Sequence, residues 1–180
     1  DLDAAQWLDE ARSLFGDWRT ASLPEPPPPA ATPAPPQRRI VVIDKPDLVQ
    51  ARIYVGHEGI ARSDPRRIAA GLMNDVLGGS GFSSRLMQSL RSDSGLTYGV
   101  GSGFSLRRVP GPFAVSTFTR VPEVRRALDL LLAELDAIRA GRPPSAEELV
   151  AAKSYNVGQF GLGLETSEAV LGSLVELDVH

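Results

Sequence analysis

The sequence contains no cysteine and only two histidines among its 180 residues. Without cysteine, a disulfide framework, thiolate catalysis and thiolate-ligated metal sites are excluded. His57 and His180 lie far apart and have no matching carboxylate pattern, whereas a zinc site needs several convergent ligands. For His57, a loop position with a polar surface contact is favoured over a ligand role. We therefore predict no metal ligand in this chain.

The sequence is also poor in aromatic side chains and has no excess of positive charge. Aromatic residues make up 6% of the chain, so its core must consist mainly of Leu, Val, Ile and Ala. The formal charge of −3 gives no electrostatic case for nucleic acid. No apolar run approaches the length of a membrane span. We expect a soluble protein of unknown compartment; an extracytoplasmic location is favoured if the full-length protein is bacterial.

Composition divides the chain into three parts. Residues 1–19 contain the pattern of an amphipathic helix, with Asp3 as a possible cap and Gly16 as its end. Residues 20–37 are rich in proline and alanine, which predicts a semi-rigid linker. The alternative for this stretch is a ligand for a proline-recognition module. The domain proper is expected over residues 38–180.

Strand and helix patterns in this domain do not alternate one for one. Strands are predicted over residues 40–43, 50–55, 97–106 and 112–119. The first is continuously apolar, which predicts burial on both faces. Helices are expected to begin near Asp64, Ser83, Pro122, Ser145 and Thr166. The order predicts an α+β fold, a mainly antiparallel sheet with helices packed on one face.

The stretch from Leu77 to Val100, LGGSGFSSRLMQSLRSDSGLTYGV, holds the richest pattern. Phe82 and Met87 flank Ser83 as a hydrophobic staple around an N-cap would. Gly95 is placed to end the helix in a left-handed conformation. Arg91 lies in the last helical turn, and Tyr98 lies just beyond the helix. From spacing alone, a cation favourable to the helix dipole and an interfacial aromatic explain this pair as well as a functional role does.

The other polar and glycine residues of the stretch have structural explanations. Its serines lack a nucleophile elbow and a credible histidine partner. Gly78, Gly79 and Gly81 lack the lysine-serine ending of a phosphate loop, so a tight turn or a close approach by another backbone is favoured. Arg85 is better explained by a salt bridge than by substrate contact.

The run GGSGFSSRLMQSLRSDSGLTYGV resembles the signature of the non-catalytic half of insulinase/pitrilysin-type zinc metallopeptidases, which include mitochondrial processing peptidase. The resemblance extends from about Arg38 to the C-terminus, through QARIYVGHEGIARSDP and through TFTR followed by VPEVRRALDLLLAEL. It implies the same antiparallel-sheet architecture. It also implies that residues 1–19 are a remnant of a preceding catalytic domain, and that the domain continues beyond His180 with another helix and a strand.

The resemblance further implies a function in a two-half enzyme. Arg91 and Tyr98, seven positions apart, would act as catalytic residues at the active site of a partner half, in the same polypeptide or a separate subunit. That half would carry zinc on an HxxEH motif, so this chain would be inactive alone. Gly78, Gly79, Gly81 and Phe82 would bind an extended peptide substrate. The alternatives are a non-proteolytic scaffold or core subunit of the same superfamily and a stand-alone peptide-binding domain.

Overall fold

The computed structural model describes residues 3–19 and 37–179 of the chain. The chain divides into two compact units, Asp1–Arg39 and Ile40–His180. Apart from its last residue, the linker predicted over 20–37 lies outside the described residues. No helix in the described part of the chain is long and apolar enough to span a membrane.

The described residues of the first unit contain one helix, α1 (Ala4–Phe15). The carboxylate of Asp3 accepts a hydrogen bond of 2.9 Å from the backbone N–H of Ala5, so the predicted N-cap is confirmed. Gly16 follows the last helical residue, as predicted. The assignment of this helix to a preceding domain stays a prediction.

The second unit combines three strands with five helices in its described residues. The strands are β1 (Gln50–Glu58), β2 (Val100–Phe104) and β3 (Pro112–Arg120), antiparallel in the order β1-β3-β2. The helices are α2 (Arg67–Asn74), α3 (Arg85–Met87), α4 (Val124–Asp136), α5 (Ala146–Leu162) and α6 (Ser167–Val179). The first three of these continue into π-helical turns, Asp75–Gly79, Gln88–Asp93 and Ala137–Gly141.

One face of the sheet forms the core, and β3 shows the alternation most clearly. Phe113 and Val115, two positions apart, are buried, whereas the next residue, Ser116, is exposed. Leucines from the helical segments are fully buried against this face: Leu77, Leu86, Leu90 and Leu131. Burying such a side chain stabilises the fold by about 1.5–3 kcal/mol before entropy is counted. The predicted α+β architecture is confirmed.

The strand predicted over residues 40–43 is wrong. No strand forms there, and the side chains of Ile40, Val41, Val42 and Ile43 are 65–84% exposed. A strand needs a hydrogen-bonded neighbour, and within the described residues β1 pairs only with β3. The apolar run indicates strand propensity, but it does not show whether a neighbouring strand is available for hydrogen bonding.

Candidate functional site

The entry to α3 is a tight turn that displays Phe82. A 3₁₀ turn, Gly81–Ser83, precedes the helix, and Gly81 has φ of +65°, a conformation that favours glycine. Ser84 is the N-cap residue, not Ser83 as predicted. The hydroxyl of Ser84 donates to the carbonyl oxygen of Gly81 at 2.7 Å, so it closes the turn instead of capping the helix. The predicted start is thus wrong by one residue because the turn extends through Ser83.

The helical segment that begins with α3 and continues through the π-helical turn Gln88–Asp93 ends as predicted. Gly95 has φ of +60°, and its N–H donates to the carbonyl oxygen of Arg91 at 3.0 Å. The bond from Gly95 is that of an αL cap, and the N–H of Leu96 also donates to the carbonyl oxygen of Leu90 at 2.9 Å. Leu90 and Leu96 are both buried in the core. This anchored end fixes the backbone of Arg91 and the direction in which the chain reaches Tyr98.

Arg91, Phe82 and Tyr98 meet at the surface; we call these three residues the Arg91 clamp. The guanidinium carbon of Arg91 lies 4.5 Å from the centroid of the Phe82 ring and 4.5 Å from that of the Tyr98 ring. Phe82 is 70% exposed and Tyr98 76% exposed. Each exposed cation–π contact of this kind contributes about 0.5–1 kcal/mol. The structure thus brings together the two predicted catalytic residues and one predicted substrate residue.

The polar groups of the clamp are free to bind a ligand. Within the described residues, neither the guanidinium of Arg91 nor the hydroxyl of Tyr98 forms a hydrogen bond or an ion pair. A guanidinium carries five N–H donors, and a phenol carries one. Because the aromatic contacts use the charge of Arg91 but not its donors, the clamp can donate several hydrogen bonds to an oxygen of an incoming molecule.

Buried threonines of β3 hold the segment that carries Tyr98. The hydroxyl of Thr119 donates to the carbonyl oxygen of Leu96 at 2.7 Å. The hydroxyl of Thr117 lies 3.0 Å from the carbonyl oxygen of Gly99 and 3.1 Å from the hydroxyl of Thr97. The sequence analysis missed these contacts, since threonine alternation in a strand indicates only which side is buried. Tyr98 is therefore held between fixed backbone positions on either side.

A groove of about 320 Å³ adjoins the clamp. Tyr98 lines it together with the Gly95 turn and the end of β3, including Phe118 and Arg120. An extended chain that lay in this groove would pass directly beside the phenol.

The predicted substrate-binding glycines occupy different environments. Gly78 is buried, and a Cβ added there would lie 2.5 Å from the hydroxyl oxygen of Ser102 and 2.9 Å from its backbone nitrogen. Gly78 is thus needed for close packing against β2. Gly79 is half-buried beside Asn74, whereas Gly81 is exposed with open space around it. A substrate role for these glycines stays a prediction, and Gly81 is the one a ligand reaches most easily.

Arg85 forms the salt bridge that the sequence analysis favoured. Its side chain is 8% exposed and donates two hydrogen bonds, of 2.7 and 2.6 Å, to the carboxylate of Glu148. It also donates to the carbonyl oxygens of Arg142 and Pro143, at 2.6 and 3.0 Å. The hydrogen bonds from Arg85 lower the pKa of Glu148 to about 2. Glu148 and Ser145 also form the predicted capping box of α5. This cluster is structural, because four of the five N–H donors of Arg85 already have partners within the domain.

Among the residues that the structure describes, histidine and carboxylate side chains do not converge on a metal site. His57 lies within β1 and not in a loop as predicted; it is exposed, and its Nδ1 lies 2.6 Å from the carbonyl oxygen of Glu58. In the ranges that the structure describes, no group of three or more His, Asp and Glu side chains is arranged to hold an ion. The residues present in these ranges therefore do not fit a zinc ion.

Comparison with known protein families and sequences finds similar proteins. A model of the family described as the peptidase M16 inactive domain matches residues 1–156. Over 125 residues the chain is 37% identical to an uncharacterized zinc protease of Streptomyces coelicolor, covering 69% of this chain and 27% of that protein. A second uncharacterized zinc protease, from Bacillus subtilis, is 29% identical over 69% of this chain and 30% of its own length. The chain thus spans less than a third of these relatives.

Solved structures share the fold. The peptidase M16 inactive domain from Pseudomonas fluorescens aligns with a TM-score of 0.63 and 34% identity, over 71% of this chain and 30% of that one. A protease from Helicobacter pylori aligns with a TM-score of 0.80 over 98% of this chain and 43% of that one. Its identity of 18% makes it evidence for the fold alone.

Proposed function

The chain belongs to the peptidase M16 inactive-domain family, and from that premise we propose that it forms the non-catalytic half of a zinc metallopeptidase. In this proposal Arg91 and Tyr98 act on the peptide carbonyl at the active site of a zinc-bearing half. The two halves belong to one polypeptide or to separate subunits, and they close over an extended peptide.

The observation that carries the proposal is the state of the Arg91 clamp. Arg91 and Tyr98 present hydrogen-bond donors that no group in the described residues uses, while two aromatic rings keep the guanidinium in place. A carbonyl oxygen gains negative charge when its carbon is attacked. Donors fixed in advance stabilise that charge more than they stabilise the bound substrate, so they accelerate the reaction.

The metal chemistry belongs to the other half. Zinc bound there would supply Lewis-acid activation, and in the described residues this chain offers no cluster of ligands for it. The residues of this chain would bind and orient the peptide. The groove beside Tyr98 gives an extended segment a place to lie, and Phe82 is linked to Tyr98 through the guanidinium of Arg91.

A non-proteolytic scaffold is the second candidate. The C-terminal helices α5 and α6 expose large apolar side chains, including Phe160 at 71% and Leu177 at 77%. Exposed apolar surface of this kind favours association with another element or protein. Both candidates require a partner, so this surface does not separate them. The unused donors of Arg91 favour the peptidase, since a scaffold has no need of them.

Arg91→Ala tests the proposal in the enzyme assembled from this chain and its zinc-bearing half. Removing one donor at a developing oxyanion lowers turnover by about 100-fold. The matched control is Arg125→Ala on α4, because Arg125 is also at the surface and only pairs with Asp129 one helical turn away. We expect turnover to fall only in Arg91→Ala, with zinc content unchanged in both variants. Full turnover in both variants would show that Arg91 takes no part in the reaction and would overturn the proposed role.

A further inference from the structure

We propose that Phe82 is a positioning residue for Arg91, holding the guanidinium in place without occupying its hydrogen-bond donors. This inference rests on the proposed function and extends it to a residue outside the Arg91–Tyr98 pair.

The contact that distinguishes Phe82 is the one with Arg91. Its side chain is 70% exposed and does not belong to the core. In the part of the chain that the structure describes, its ring makes one electrostatic or ring contact, with the guanidinium of Arg91. Single exposed apolar side chains are common on protein surfaces, so it is this contact, and not the exposure of the ring, that assigns Phe82 a role.

The turn that carries Phe82 is well fixed. The N–H and the hydroxyl of Ser84 both donate to the carbonyl oxygen of Gly81, at 3.1 and 2.7 Å. On the other side, the hydroxyl of Ser80 donates to the carbonyl oxygen of Asp75 at 2.8 Å. With its backbone held on both sides, Phe82 offers a stable ring for Arg91 to rest on.

An aromatic ring is suited to this task in a way that a carboxylate is not. Arg85 shows the contrast: Glu148 and two backbone carbonyls hold it, and these use its donors. A cation–π contact acts on the charge of the guanidinium through the ring face and leaves the N–H groups available. Phe82 and Tyr98 thus orient Arg91 while its donors stay ready for a substrate oxygen.

The test is a mutant cycle in the assembled two-half enzyme. Phe82→Leu keeps an apolar side chain but removes the ring, and misplacing Arg91 in this way should lower kcat about tenfold with little change in KM. Phe82→Tyr restores a ring and should restore most of the turnover. In an Arg91→Ala background, Phe82→Leu should have no further effect. The control is Tyr54→Leu on β1, which removes a ring from a side chain that is 66% exposed and lies outside the Arg91 clamp.

The outcomes separate this inference from the proposed function. If Arg91→Ala keeps full turnover, the proposed function fails. If Arg91→Ala loses turnover while Phe82→Leu keeps it, the proposed function stands and the positioning role is overturned. If Phe82→Leu lowers turnover as much in the Arg91→Ala background as in the wild type, Phe82 acts directly on substrate and the positioning role is again overturned.

Discussion

The guanidinium carbon of Arg91 lies 4.5 Å from the centroid of the Tyr98 ring. The residues are seven positions apart in sequence, one on the last turn of a helix and the other past a glycine turn. Their contact shows that the Gly95 turn folds the chain back so that both side chains share one surface. Arg91 and Tyr98 therefore form one unit, and changes to the turn should affect both.

Gly95→Ala should destabilise the domain by about 1–2 kcal/mol, because alanine strains at positive φ. Gly95 has φ of +60°, and an added Cβ would meet no atom within 4 Å, so backbone conformation is the only source of the loss. Gly158→Ala is the control: that position also has open space but lies within α5. There alanine should stabilise by about 0.5–1 kcal/mol. Urea denaturation measures both, and a neutral Gly95→Ala would contradict the strained-turn account.

Glu148→Gln should destabilise the domain by about 1–3 kcal/mol, because it leaves the buried guanidinium of Arg85 without its counter-charge. The control is Asp129→Asn, which removes the partner of Arg125 in an exposed pair with 86% and 56% of the two side chains accessible. Such a pair contributes about 0–0.5 kcal/mol. The two unfolding free energies are compared at neutral pH. If the two variants lose equal stability, the buried pair of Arg85 and Glu148 contributes no more to stability than the exposed pair does.

Acid should weaken the domain through the same pair. The pKa of Glu148 is about 2 in the folded state, against an ordinary value of 4.5. Because the folded pKa is the lower one, the stabilisation is complete above pH 4.5 and is lost as pH falls towards 2. The shift sets an upper limit of about 3 kcal/mol. With 34% of the Glu148 side chain exposed, we expect about 1–2 kcal/mol after solvent screening.

The measurement for this prediction is the pH dependence of the unfolding free energy in the wild type and in Glu148→Gln. The variant should lack the portion of the acid-dependent loss that Glu148 contributes. Identical pH profiles for the two proteins would show that Glu148 titrates alike in the folded and unfolded states.

Features encoded by neighbouring residues could be predicted from the sequence. The left-handed end at Gly95 and the capping box of Ser145 and Glu148 each depend on a few adjacent positions, and both formed as expected. The start of α3 was wrong by one residue, because Ser83 and Ser84 are equally good N-cap residues until the geometry of the Gly81 turn is known.

Features that join distant residues could not be predicted. Arg85 was expected to form a salt bridge, but Glu148 lies 63 positions away and carries a capping pattern that already explained it. The contact between Phe82 and Arg91 depends on a turn and a π-helical segment that leave no trace in apolar periodicity. The strand predicted over residues 40–43 does not form for a related reason, because a strand depends on an available neighbouring strand as well as on its own composition.

The most direct test of the central claim is the turnover of Tyr98→Phe in the assembled two-half enzyme, because this substitution removes only a hydroxyl and keeps the ring beside Arg91. We expect turnover to fall by about 100-fold, as for loss of one donor to a developing oxyanion, with zinc content and melting temperature unchanged. The control is Tyr54→Phe on β1, which removes the same atom from a side chain that is 66% exposed and should leave turnover intact. Full turnover in Tyr98→Phe would contradict the account.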